Sequence, residues 1–334
     1  MSDELPPISP RILSTLKVPG KGNDTDLALE RDALFCSKTG DRYPFIRQVP
    51  SLYQPLSGDD EALTLRVRSF YEENPFPSYE GLEEFGDLVS KGSENPFSRR
   101  LLDAIGHSKL ILECGCGTGQ LSHYLQLNNN QVLGIDMSLS SLALALEHKQ
   151  RNQLTRASFA QMNIFELAIK DNSFDVVISH GVLHHTADAR RAFANIVRKV
   201  KPGGIVMVGL YNRYARVATW VRSKLIKVFG HNIDLVARRR IHDPRKREIW
   251  IKDQYFNPHE TWHSIDEVLE WFRENNVEFL NCSPAILGSA GESAEDLFFN
   301  SDPGTFYQRI TTQLSWLGTI AREGSLFDLI GRRG

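Results

Sequence analysis

The sequence lacks several things on which a protein's class depends. Four cysteines in 334 residues are too few for a disulfide scaffold. No stretch approaches the run of about 18 apolar residues that a membrane helix needs. Lysine plus arginine number 39 against 41 aspartate plus glutamate, a net charge of −2. That excludes a surface built as a whole to hold nucleic acid. There is no internal repeat and no low-complexity tract. The start, Met1-Ser2-Asp3-Glu4-Leu5-Pro6-Pro7, has acids and prolines where a secretory signal has a basic start and an apolar run. A cytoplasmic protein with reduced thiols is expected. What is present is ordinary globular material, 41% hydrophobic and 24% charged, enough for one large core or two smaller ones.

Residues 1–56 break into short apolar pieces, Leu34-Phe35-Cys36, Tyr43-Pro44-Phe45-Ile46, Val49-Pro50 and Leu52, between Gly, Asp and Pro. A small β-rich extension is expected. It looks like a zinc ribbon that has lost its ligands, because Cys36 alone stands where a structural zinc needs four; no metal is expected. Residues 57–107 read as a partly helical strap. Within it, Phe70-Tyr71-Glu72-Glu73-Asn74-Pro75-Phe76-Pro77-Ser78-Tyr79 concentrates four aromatics, and the prolines exclude a helix interior at 75–77. This run either closes over the core or covers a ligand pocket.

Residues 108–334 read as one α/β domain. Apolar runs at 109–113, 131–135, 157–162, 174–179 and 205–210 alternate with helical faces such as Leu139, Leu142, Ala143 and Leu146, or Phe193, Ile196, Val197 and Val200. Unalternated strands separated by helices imply a parallel sheet covered on both faces. Insertions are expected at about 211–263 and 284–322. In the first, Tyr214, Val217, Ala218, Val221, Leu225 and Val228 share a helical stripe, and Arg213 to Glu248 holds 11 Lys+Arg against 3 Asp+Glu. The expected role is a cap that packs on the sheet, shapes an acceptor pocket and keeps its basic side in water. A membrane-surface helix or an RNA contact are the alternatives. Ser264-Ile265-Asp266-Glu267 is a capping box opening another helix. Val277–Leu280 and Ser325–Gly331 are further strand candidates.

The chemistry-bearing run is Glu113-Cys114-Gly115-Cys116-Gly117-Thr118-Gly119-Gln120, between a buried strand and a helix. Alternate glycines let the backbone turn sharply and approach a ligand. The helix start that follows is expected to add free amide donors. A dinucleotide fingerprint needs glycine where Gln120 stands, and a P-loop needs Gly-Lys-Ser/Thr; neither is present. Glu113 would repel a pyrophosphate and suits an ammonium. Cys114 and Cys116 have no second ligand pair and read as loop filling.

These residues resemble the first motif of the class I S-adenosylmethionine-dependent methyltransferases, and the similarity continues in order over about residues 105–210. It implies a doubly wound, seven-stranded Rossmann-like sheet, mostly parallel with a last antiparallel strand. It implies S-adenosyl-L-methionine as cofactor, held by Glu113, Gly115, Gly117, Gly119, Asp136, Met137, Met162, Asn163 and His180. Asp136 would take the ribose hydroxyls, and Asn163, where the family usually has Asp, the adenine edge. Ser179-His180-Gly181-Val182-Leu183-His184-His185 would line the methionine end and the acceptor pocket, and Lys201-Pro202-Gly203-Gly204 is the turn before the fifth strand.

Methyl transfer from a sulfonium is an in-line displacement, so the protein must align the nucleophile, exclude water and, for some acceptors, remove a proton. His184 or His185 is the candidate base, with a titration range near neutrality; the alternative is that both pack. Tyr211 either points its hydroxyl at the acceptor or caps the sheet edge. His259 and Glu260 are further pocket candidates. A small-molecule acceptor is expected. An RNA- or protein-modifying enzyme and a non-catalytic cofactor-binding protein are the alternatives.

Overall fold

Short apolar pieces near the N-terminus form β1 (Ala28–Leu29), β2 (Ala33–Phe35), β3 (Arg42–Ile46) and β4 (Val49–Pro50), an antiparallel sheet in that order. A one-turn helix, α1 (Pro10–Leu13), precedes it. In this computed structural model, residues 6–229, 244–287, 296–319 and 325–334 are described. Met1–Leu5, the middle of the basic stretch (230–243), and 288–295 and 320–324 around the second insertion lie outside the described residues. The N-terminal segment shares the main core, with Ile8, Ile12, Leu16 and Leu34 buried in one cluster with Leu112 and Leu133. Past β4 the Leu52 amide donates to the Gln161 carbonyl, so the chain covers the edge of the large sheet, where exposed strand groups would otherwise be unpaired.

Three further helices precede that sheet: α2 (Asp59–Glu73), α3 (Phe85–Glu94) and α4 (Pro96–Ile105). Helix α2 stops short of Pro75. Helix α4 starts at Asn95, whose side chain accepts from the amides of Phe97 and Ser98, with Pro96 in the first turn, a favoured start.

The apolar runs then become β5 (Leu110–Cys114), β6 (Gln131–Asp136), β7 (Ala157–Gln161), β8 (Phe174–His180), β9 (Val200–Tyr211), β10 (Val277–Ser283) and β11 (Leu326–Arg333). Their order is β10-β11-β9-β8-β5-β6-β7. β11 is antiparallel to both neighbours, and the β5–β9 pairings are parallel. This is the seven-stranded, mostly parallel sheet expected. β9 begins earlier than its apolar run because Val200 pairs with Phe174 before the register shifts around Pro202-Gly203-Gly204. Helices α5 (Gln120–Leu125), α6 (Leu139–Arg151) and α7 (Ala189–Val197) are the crossovers, and α8 (Arg216–Phe229) follows β9.

Helix α8 departs from expectation. Val217, Val221 and Leu225 face out, whereas Arg216 and Thr219 are buried. Of the stripe, Ala218 still packs against the main core, but Val217, Val221 and Leu225 do not, because Arg216 has partners inside that fix the opposite face inward. No helix among the described residues is long and apolar enough to cross a membrane.

Candidate active site

The strands β5, β6, β8 and β9 end at one edge, and there the glycine-rich loop turns. Gly115 and Gly117 have φ of 77° and 53°, left-handed backbone that favours glycine. A Cβ on Gly117 would collide with the carbonyl of Phe76. The glycine is thus required by the strap as much as by any ligand. The amides of the loop itself are all engaged within the protein. Gly115 and Cys116 donate to the Ile135 carbonyl, Thr118 to that of Phe76 and Gly119 to that of Cys116, and Gly117 donates to the Asp136 carboxylate. With α5 only six residues long, the loop works as a shaped wall and not as an anion nest.

Two sets of bonds pin the aromatic strap across this edge. Glu72, at the end of α2, accepts from the amides of Leu139 and Ser140 and the Ser140 hydroxyl, a carboxylate against the positive end of α6. Burial pushes the Glu72 pKa up, but these bonds outweigh it and hold it below the ordinary value. Farther along, Thr118 donates its hydroxyl to the Pro77 carbonyl, Gln120 donates to that of Ser78, and the Tyr79 hydroxyl donates to that of Thr118. Tyr71, Phe76 and Pro77 then line the space beneath.

That space is a cavity of about 480 Å³. Glu113, Gly115, Gly117, Asp136, Met137, Met162, Asn163 and His180 line one part of it, and Tyr71, His185, Thr186, Tyr211 and Gln254 another. It brings together every expected cofactor residue except Gly119, which turns inward against Phe159 and Ala145. Of the three candidate catalytic residues it takes in two.

Glu113 is fully buried and accepts a hydrogen bond from Ser122. Burial, opposed by that bond, raises its pKa to about 7. Asp136 accepts one backbone amide on each oxygen, from Gly117 at 2.9 Å and Ser138 at 2.8 Å. Burial raises its pKa, and those amides oppose the rise. Each oxygen keeps a second lone pair, the pair of acceptors that a vicinal diol needs. Asn163 donates to the Gln54 carbonyl and accepts from the Phe165 amide, so its side chain is oriented by protein before any adenine. His180 is bound to Asp328 at 2.7 Å and stacked on Phe97. Burial would lower its pKa, but Asp328 outweighs burial and raises it.

The two neighbouring histidines separate. His184 is absent from the cavity wall. It is buried, stacked on Tyr211 with ring centroids 3.8 Å apart, and neither ring nitrogen has a hydrogen-bond partner. Burial, then the neighbouring His185, drives its pKa well below normal. It is a packing imidazole, which corrects its expectation as a base. His185 lines the cavity, and its Nδ1 lies 2.7 Å from the His259 carbonyl. A carbonyl only accepts, so Nδ1 carries the hydrogen and Nε2 is the basic atom.

His259 and Glu260 do not line the cavity either. His259 acts through its carbonyl, and Glu260 pairs with Arg216 at 2.5 Å. Arg216 also lies 3.7 Å over the Tyr211 ring and bonds Gln254, which in turn donates to the Tyr211 hydroxyl at 3.2 Å. Sequence reasoning missed Gln254, Arg216 and Asp328, and the cavity residues Lys91, Asn95 and Phe97 of the α3–α4 pair. Tyr71 was signalled only by the aromatic run. Nothing local marks the others, because each reaches the site from a distant element.

Comparison with known proteins agrees with the geometry. Residues 112–208 match the family model described as a methyltransferase domain. An uncharacterized protein of Synechococcus sp. is 27% identical over 259 residues, 67% of this chain and 61% of that protein. A ubiquinone biosynthesis O-methyltransferase of Rickettsia prowazekii is 36% identical over 107 residues, 32% of this chain and 42% of that protein. Among solved structures, geranyl diphosphate C-methyltransferase from Streptomyces coelicolor is similar at 13% identity and a TM-score of 0.47, over 84% of this chain and all of that one (100%). The chain thus spans less than two thirds of the curated relatives named. It carries, at residues 112–208, a methyltransferase domain set in a seven-stranded, mostly parallel sheet.

Proposed function

We propose that the chain methylates a hydroxyl group of a small molecule, with S-adenosylmethionine as donor and His185 as the base. The observation that carries this reading is the single cavity that joins Glu113 and Asp136 to His185 and Tyr211. The residues present fit the cofactor. A buried carboxylate faces the cavity for its ammonium, and a second, with both oxygens still able to accept, suits its ribose diol. When bound, the cofactor supplies a methyl group on a sulfonium, an activated leaving group.

The chain's residues then orient the acceptor, exclude water and move one proton. Tyr71, Tyr211 and Gln254 line the part of the cavity around His185, and the strap adds Phe76 and Pro77 to its wall. Nε2 of His185 takes the hydroxyl proton as the acceptor oxygen gains its methyl group. The His259 carbonyl holds the ring in the tautomer this needs. Orientation supplies roughly 7–11 kcal/mol of such a barrier, and a positioned base about 10²–10⁴-fold in rate. The printed names of the curated relatives, which include ubiquinone biosynthesis O-methyltransferases and phosphoethanolamine N-methyltransferases, support a small-molecule acceptor. With all four cysteines present as buried free thiols, the cytoplasm is the compartment proposed.

Calorimetry with S-adenosylmethionine, followed by transfer of a labelled methyl group into fractionated cell extract, tests the reading. Label is expected in a small-molecule fraction. In His185→Ala, kcat should fall by about 10²–10⁴-fold with cofactor affinity retained, and the ascending limb of the pH profile should vanish. Failure to bind the cofactor, or label confined to RNA or protein, refutes it.

A further inference from the structure

We propose that the outward face of α8 docks this protein onto an anionic lipid bilayer. Val217, Trp220, Val221, Lys224 and Leu225 are all exposed, and their spacing places them on one helical face. Val217 is 45%, Trp220 48%, Val221 45% and Leu225 44% exposed. A surface helix normally buries such a stripe and shows water its polar side. Here the sides are exchanged.

The exchange is imposed by the interior. Arg216 is only 1% exposed. It is fixed by Glu260, by Gln254 and by the Tyr211 ring, and Ile226 on the same side packs with Ile251 and Tyr255. Rotating α8 to hide its valines would drag a guanidinium out of a buried ion pair, which is strongly unfavourable. The apolar face is therefore held in solvent by the same residues that shape the cavity beside Tyr211.

Charge selects the occupant. Helix α8 has the sequence Arg-Val-Ala-Thr-Trp-Val-Arg-Ser-Lys-Leu-Ile-Lys-Val-Phe, with no acid; Arg216 is turned inward, and Lys224 stands on the exposed face. Lys224 Nζ stands 5.5 Å over the Trp220 ring, so a cation and an indole share one spot. A bilayer interface with anionic headgroups satisfies both, taking Trp, Val and Leu into the headgroup–acyl boundary and pairing Lys with phosphate. RNA offers nothing for Val217, Val221 and Leu225. A second copy meeting the same face would oppose like charges across a twofold axis. This inference does not depend on the methyl-transfer reading. It adds to it a place of work, because α8 is rooted at Arg216 beside the His185–Tyr211 part of the cavity.

The test is flotation of the full chain with vesicles of phosphatidylcholine alone and of phosphatidylcholine mixed with phosphatidylglycerol. Binding to the mixed vesicles only, weakening with added salt, is expected. The triple variant Trp220→Ser, Val221→Ser, Leu225→Ser should lose about tenfold or more of that binding. Lys224→Glu should weaken it too and flatten its salt dependence. Because these side chains are exposed, thermal melting should match the parent. A chain that stays with the supernatant for both compositions overturns the proposal. So does binding that survives the triple substitution, and so does a parent dimer that the triple substitution converts to monomer.

Discussion

Glu113 is the group whose protonation the structure ties most directly to ligand binding. Its pKa of about 7 lies above the ordinary glutamate value of 4.5. The native state therefore holds an extra proton between those values, and this residue's contribution to stability falls as pH rises across that window. The difference corresponds to roughly 3 kcal/mol, the net cost of ionising a buried carboxylate despite the Ser122 bond and the nearby His180 charge. An ammonium ligand offsets that cost, so S-adenosylmethionine should bind the ionised form, and its affinity should follow the ionised fraction. Between pH of about 7.5 and 5.5, below the ligand's own α-amino range, that fraction falls about 25-fold, close to 2 kcal/mol of binding energy. Calorimetry across this range, in buffers of different ionisation enthalpy, should show the loss of affinity and a proton released on binding. Asp136 also titrates upward from its ordinary value, so a control ligand is needed. 5′-Methylthioadenosine keeps the ribose and lacks the ammonium, and its affinity should vary far less. Glu113→Gln retains a partner for Ser122 and should flatten the S-adenosylmethionine profile. Equal slopes for both ligands, or a slope that persists in Glu113→Gln, would refute the reasoning.

Other perturbations separate binding, closure and packing. Asp136→Ala should weaken S-adenosylmethionine by about 1.5–3 kcal/mol through lost charge-assisted hydrogen bonds, measured by calorimetry against Asp136→Asn. Gly117→Val should cost about 1–3 kcal/mol from the left-handed backbone alone, and the collision with Phe76 should also release the strap, seen as faster proteolysis within 70–79. Glu72→Ala removes an anchor of the same strap and should destabilise by about 1–2 kcal/mol near neutrality. Because its folded pKa is depressed, that difference should be present above the ordinary value and disappear as pH falls through the folded one, a result denaturant melts at both ends can check. His184→Phe removes an unpartnered buried imidazole and should raise stability by about 1 kcal/mol with kcat unchanged; a collapse of kcat would return His184 to the chemistry.

The sheet was legible because its signals are short-range. Leu110–Cys114, Gln131–Asp136 and Phe174–His180 are continuous apolar runs, each bounded by turn residues, and strand-helix alternation leaves few topologies. The glycine run and Asp136 could be placed for the same reason, since a strand end and the turn after it are neighbours in sequence. How the loop amides are used was not legible, because one of their partners lies in the strap. A carbonyl from Phe76 uses one donor, and the carboxylate of Asp136 uses another.

His184 and His185 are adjacent, alike in composition and alike in distance from the end of β8, so sequence alone determined only that one imidazole pair stands at the right edge of the sheet. The tertiary structure gave them different surroundings, because the His259 carbonyl reaches one ring and the Tyr211 face covers the other. Sequence likewise determined that α8 is amphipathic. Which side faces water depended on Arg216 finding Glu260, 44 positions away. Periodicity reports how residues are arranged around one helix. It carries no information about the distant partner whose desolvated charge outweighs the burial of three aliphatic side chains.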